Sequence, residues 1–149
     1  MAIFSRKLAM KILVAVDGSR YTKKMLAFLS THSETFGANA QYTILNVQAP
    51  LPYRAEQVAG REAVEKWREE EASKVLEPIR KFLSRHEIFF TTKVVVGVAG
   101  ERIASLAQSG KYDMVIMGPH GHTTVGTVLL GSVAQRVLSN CSVPVLLIR

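Results

Sequence analysis

The sequence predicts an α/β domain: a single doubly wound, five-stranded parallel sheet with helices on both faces. Three observations predict it. Five short apolar runs rich in β-branched residues occur at 11–16 (KILVAV), 41–47 (QYTILNV), 89–96 (FFTTKVVV), 112–117 (YDMVIM) and 143–148 (VPVLLI), as expected of strands buried in a layered sheet. A segment of helical periodicity separates each run from the next. Turn formers such as Asp17, Gly18, Ser19, Gly97 and Gly118 close the strands. Strands that alternate with helices are joined by right-handed crossovers, which lay the strands parallel and cover both faces.

Each element has its own signal. After the first strand and its Asp17-Gly18-Ser19 turn, Met25, Leu26, Phe28 and Leu29 mark an amphipathic helix from 20 to about 36, with Gly37 as its stop. The second strand is followed by the breakers Pro50 and Pro52. From about 55 to 86, Ala63, Trp67, Val75, Ile79, Phe82 and Leu83 recur at helical spacing, with charged residues on the other face. Pro78 lies inside that pattern and predicts a kink or interruption near Leu76 and Glu77. Gly97 and Gly100 punctuate the turn after the third strand, and a short helix spans 101–109. A Gly- and Thr-rich loop then runs from 118 to about 130, before a last helix at 132–140. Pro144 cannot donate to a sheet ladder, which places the final strand at an edge.

The 149 residues are 48% hydrophobic and suit one domain. We divide them into a short basic N-terminal extension, 1–10, and a domain at 11–149. No apolar run approaches the ~18 residues of a membrane helix, and 1–10 lacks the apolar stretch of a secretory signal, so a cytoplasmic protein is expected. The single cysteine, Cys141, cannot form an internal disulfide. Net charge is +7, but residues 1–24 hold six basic residues and one acidic. The excess is local and has no aromatic interleaving, so no nucleic-acid partner is expected.

The loop after the fourth strand carries the chemistry. Gly118 and Gly121 leave the strand, and Gly131-Ser132 opens the last helix. Glycines let a ligand approach the backbone closely, and a helix N-terminus offers unpaired N–H groups and partial positive charge. Together they make an anion site, most often for phosphate. Ser132 and Gln135 also fit an S-x-x-Q capping box, in which the serine merely satisfies its own helix. A cap needs only one special residue, so the glycine frame favours the anion. Neither a Walker loop nor G-x-G-x-x-G is present.

The spacing of Gly118, Gly121, Gly131 and Ser132, G-2x-G-9x-G-S, resembles the ATP-binding signature of the universal stress protein family. KILVAVDGS at 11–19 is similar to that family's first strand, and SVPVL at 142–146 to its last. The resemblance covers about 11–148 and implies a Rossmann-like fold of the adenine nucleotide α-hydrolase kind. It implies ATP, or AMP or ADP, bound with Mg2+. The backbone of Val47 would recognise adenine, and Ala15, Val16 and Asp17 would line the nucleoside pocket, with Asp17 near the ribose or the Mg2+ held by the phosphates. Gly118 and Gly121 would admit the ribose and phosphates, and Met117 would be a further nucleotide-binding residue. Gly131, Ser132, Val133 and Ala134 would contact phosphate. Pro119 departs from the family pattern, since it removes an N–H where a small polar residue is common. The resemblance also implies a homodimer, joined through the last strand between Val143 and Ile148.

His120 and His122 could be read as an H-x-H metal pair. With no third ligand nearby in sequence, they are kept as nucleotide contacts. Asp17 could be a catalytic carboxylate, but no partner base accompanies it and an Asp before Gly-Ser is an ordinary turn former. The reading is a nucleotide-binding stress-response regulator with an unidentified protein partner and little or no turnover. A slow ATP hydrolase or nucleotidyl-type enzyme, and an interaction module with no nucleotide, are the alternatives.

Overall fold

The computed structural model describes residues 9–122 and 129–149. Residues 1–8, the greater part of the basic extension, and 123–128 of the Gly- and Thr-rich loop lie outside the described residues. Strands β1 (Lys11–Ala15), β2 (Gln41–Gln48), β3 (Phe90–Val96), β4 (Met114–Met117) and β5 (Val145–Leu147) form one sheet of order β3-β2-β1-β4-β5. Every neighbouring pair is parallel. The helices are α1 (Arg20–His32), α2 (Tyr53–Ala59), α3 (Arg61–Arg85), α4 (Ala99–Ser109) and α5 (Ser132–Asn140).

β1 sits in the centre because its side chains suit burial on both sides: Ile12, Leu13 and Val14 are each fully buried. Successive side chains of a strand point to opposite faces, so β1 feeds two cores. Ile12 and Val14 join Ile44 and Ile116 under Met25 and Leu29 of α1 and Leu76, Ile79 and Leu83 of α3. Leu13 joins Leu45 and Val115 under Ile103 and Ala107 of α4 and Ala134 and Val137 of α5.

Several boundaries differ from the sequence reading: α4, expected from 101, begins at Ala99 and takes Gly100 into the helix, and β4 begins at Met114 rather than 112. The first helix ends at His32, and 33–36 tighten into a 3-10 turn. The last strand is shortened to Val145–Leu147, and Pro144 precedes it, its carbonyl accepting from the Val115 N–H at 2.8 Å. β5 lies at the sheet edge all the same. The long helical segment does not break at Pro78. It breaks at Gly60, whose φ of +83° is a left-handed conformation that glycine adopts without steric cost, and α3 then runs unbroken through Pro78. The buried side chains Leu76 and Ile79 flank the proline and hold both halves to the sheet. Pro78 and Lys74 face outward, so the carbonyl that loses its N–H partner meets solvent.

Pro78→Ala is therefore expected to raise stability by about 1–2 kcal/mol, since the restored helical N–H outweighs the greater freedom of the unfolded chain. Chemical denaturation of the two proteins checks this; equal midpoints would show that the helix carries no strain there.

The chain winds outward from β1 to β2 and β3, then returns to the other side of β1 to lay down β4 and β5. The winding direction reverses between β1 and β4, and in open parallel sheets ligands bind beyond the strand ends at such a point.

Candidate functional site

At the end of β1 the chain turns into α1. Asp17 Oδ1 accepts from the Ser19 N–H at 2.9 Å and from the Thr22 hydroxyl at 3.3 Å. Thr22 Oγ1 in turn accepts from the N–H groups of Gly18 and Asp17, at 3.1 and 3.3 Å. Ser19 caps α1 through its hydroxyl, and Gly18 takes a φ of +77° to make the turn. One oxygen of Asp17 is thus held by the turn. The other, Oδ2, faces Gly121, where an added Cβ would stand 3.1 Å from it.

β2 outlasts β1 and so exposes backbone. The Val16 N–H donates to Leu45 C=O and the Gly97 N–H to Gln48 C=O, both at 2.9 Å. Successive strand residues direct their backbone groups to opposite sides, so Leu45 and Val47 face the β1 side. β1 has turned away at Asp17, which leaves the Val47 N–H and C=O directed over the cavity. Asn46, buried, donates from Nδ2 to Val16 C=O at 3.0 Å and keeps the two strand ends in register.

The opposite wall is the loop from β4 to α5. Gly118 packs under α1, because an added Cβ would lie 2.6 Å from Tyr21 Cβ. Gly131 donates its N–H to Pro119 C=O at 2.7 Å, joining the two limbs of the loop. The capping box is not formed. Gly131 is the N-cap of α5, Ser132 is the first helical residue, and no side chain caps this helix. The Gln135 amide instead donates to Leu130 C=O at 2.8 Å. The Ser132 hydroxyl is exposed, and the first N–H groups of α5 have no capping partner among the described residues.

These pieces enclose a cavity of ≈ 460 Å³. Of the residues singled out from sequence, Ala15, Val16, Asp17, Val47, Met117, Gly118, His120, Gly121, Gly131, Ser132, Val133 and Ala134 all line it. His122 does not; its Nε2 donates to Asp17 C=O at 2.7 Å and ties the loop to the end of β1. Sequence reasoning missed Tyr21 and Met25 of α1, Leu45, and Ala99 and Ile103 of α4, which supply much of the apolar wall. Tyr21, two residues past the Ser19 cap on the first turn of a helix that begins at the site, was the one with a readable signal. Among the described residues no group of three His, Cys, Asp or Glu is placed to hold a metal ion. Asp17 is the one carboxylate in the described lining. Cys141 is half-buried behind α5, packed against the core. No helix among the described residues is long and apolar enough to cross a membrane.

Known proteins share this fold. The family model described as "Universal stress protein family" matches residues 9–149. A universal stress protein of Thermus aquaticus, encoded in a QAH/OAS sulfhydrylase 3' region, is 30% identical over 145 residues, covering 93% of this chain and 97% of its own. The solved structure of MJ0577 from Methanocaldococcus jannaschii superposes with a TM-score of 0.75 at 31% identity, over 93% of this chain and 94% of that one. The universal stress protein of Archaeoglobus fulgidus, solved in complex with dAMP, shares the fold at a TM-score of 0.63 and 19% identity, covering 94% and 98%. A family match over nearly the whole sequence, on a five-stranded parallel fold shared with these structures, leads to one conclusion: the chain belongs to the universal stress protein family.

Proposed function

We propose that the chain is a regulatory protein that binds an adenine nucleotide with Mg2+ in this cavity. The observation that carries the reading is the division of one cavity into two chemistries. Leu45, Val47 and Ile103 give an apolar cleft, with the free backbone groups of Val47 at its end for the edge of a base. Gly118, Gly121 and Gly131 bring backbone to the other end, where α5 presents its N–H groups and the Ser132 hydroxyl to phosphate. The Archaeoglobus fulgidus relative, solved with dAMP, supports the ligand class.

Mg2+ is usually held by one or two carboxylates together with the substrate's phosphates. Asp17 fits that role, because its Oδ2 faces the glycine loop while Oδ1 stays with the turn. The ion would neutralise phosphate charge; Asp17 would position it. Little or no turnover accompanies binding, since Asp17 is the only carboxylate in the described lining and Ser19 and Thr22 already engage it. Nucleotide occupancy would instead fix the β4–α5 loop and set which protein partner is bound. The protein would act in the cytoplasm as a homodimer. Its three-residue edge strand β5, half-buried and with no strand on its outer side among the described residues, offers the surface for a two-fold contact.

Thermal unfolding of dialysed protein tests the ligand. At about 100 times its dissociation constant, ATP with Mg2+ adds ~2.7 kcal/mol, raising the midpoint by roughly 5–10 °C. GTP and inorganic triphosphate should produce little shift. Equal shifts with all three would show a surface that binds polyanions, and the reading would fail.

A further inference from the structure

Two cations outside the glycine loop, Arg20 and Lys24, are seated on a side chain that lines the cavity. Tyr21 is the mount. Its ring is buried, lines the cavity, and lies 6.0 Å from the ring of His120. His120 in turn sits against Gly131, where an added Cβ would meet its Cα at 3.2 Å. The Tyr21 hydroxyl accepts a hydrogen bond from Arg20 Nη2 at 2.9 Å. The Arg20 guanidinium lies 5.0 Å from the Tyr21 ring centroid, and Lys24 Nζ lies 5.7 Å from it. Elsewhere Arg61, Arg68, Arg80 and Arg136 are each paired with a glutamate. Among the described residues neither Arg20 nor Lys24 makes such a pair.

We infer that Arg20 and Lys24, seated on Tyr21, make this site select adenine nucleotides with more than one phosphate. The inference rests on the adenine-nucleotide reading and deepens it. A helix N-terminus supplies the equivalent of about half a positive charge, which suits a first phosphate. Each further phosphate brings roughly one more negative charge, and a guanidinium presents the planar fork of donors that phosphate oxygens accept. Tyr21 is a positioning residue: its hydroxyl accepts from the guanidinium and its ring face attracts both cations, beside a cavity that Tyr21 itself lines. Arg20 and Lys24 are exposed, so their replacement leaves the core untouched.

The test is isothermal titration of dialysed wild-type protein, R20Q, K24Q and Y21F with AMP and with ATP, all in Mg2+ at constant ionic strength. In R20Q the affinity for ATP falls roughly tenfold while that for AMP changes by less than about twofold. K24Q shows the same selectivity with a smaller loss. Y21F keeps the ring, removes the acceptor for Arg20, and reproduces part of the R20Q loss for ATP alone. Equal weakening of AMP and ATP, or no change in either, overturns the inference while leaving adenine binding intact. A wild-type protein that binds neither nucleotide overturns the parent reading, and this one with it.

Discussion

Replacing Gly131 with valine lowers adenine-nucleotide affinity by at least roughly a hundredfold, about 2.7 kcal/mol, in a chain that still folds. Gly131 has a φ of −65°, so its backbone suits any residue and the effect is one of space. A Cβ at this position would stand 3.0 Å from Pro119 O and 3.2 Å from His120 Cα. Both are backbone atoms and cannot rotate aside. The Gly131 N–H already donates to that same Pro119 oxygen at 2.7 Å, so valine must part the two limbs of the loop. The start of α5 then moves off the phosphate position, and hydrogen bonds to an anion weaken steeply once distance and angle are lost. Titration calorimetry measures the loss, and the melting temperature of the ligand-free variant, changed by only a few degrees, shows that the sheet is intact. A variant that bound ATP normally would remove α5 from the binding site.

Gly118→Val acts on the fold rather than on the ligand, with a cost of about 3 kcal/mol or more. A side chain there would place Cβ 2.6 Å from Tyr21 Cβ and 3.1 Å from its Cγ. Tyr21 Cβ is fixed by the helix backbone, so the conflict is resolved only by moving α1 away from the end of β4. That movement opens the core in which Met25 and Leu29 pack against Ile116. Melting temperature should fall by roughly 6–12 °C for a domain of this size. Gly118→Ala meets the same Cβ conflict and should lose most of that amount, whereas a loss confined to valine would place the clash in the γ-methyl groups.

The sheet was legible because its signals are local and strong. Five β-branched runs separated by helical periods allow few arrangements once crossovers are right-handed. The boundaries were less so. Pro78 is the strongest breaker in the long helical segment, yet Gly60 breaks it, because buried Leu76 and Ile79 on either side of the proline outweigh one missing hydrogen bond. Propensity yields there to packing against β1 and β2, which lie far away in sequence. Ser132 shows the reverse limit. The S-x-x-Q pattern fits a capping box, but the N-cap position fell one residue earlier, on Gly131.

The candidate site was readable where it is backbone and turn, and unreadable where it is a helix face. Asp17, Val47 and the glycines lie at strand ends or in the connecting loop, whose place is fixed by the order of elements alone. Met25, Ala99 and Ile103 reach the cavity only because α1 and α4 lie on the sheet at particular angles. Those angles follow from side-chain interdigitation, which a linear pattern does not contain. The free hydroxyl of Ser132 and the Arg20–Tyr21 contact are likewise facts of three dimensions.

The pairing of β1 with β4 has a consequence for how the protein comes into being. Ile12 lies beside Met114 and Val14 beside Ile116, partners about a hundred residues apart. Pairings so distant are slow to form, because much chain entropy is lost before any contact repays it. During synthesis, β1, β2 and β3 can assemble early, leaving one long edge of β1 open until β4 emerges. The cavity needs Asp17 from the early part and Gly131 from the late part, so it exists only after that edge has closed. A nucleotide bound there as proposed would engage only chains in which that edge has closed, and its presence would draw slowly folding chains toward the native state by mass action.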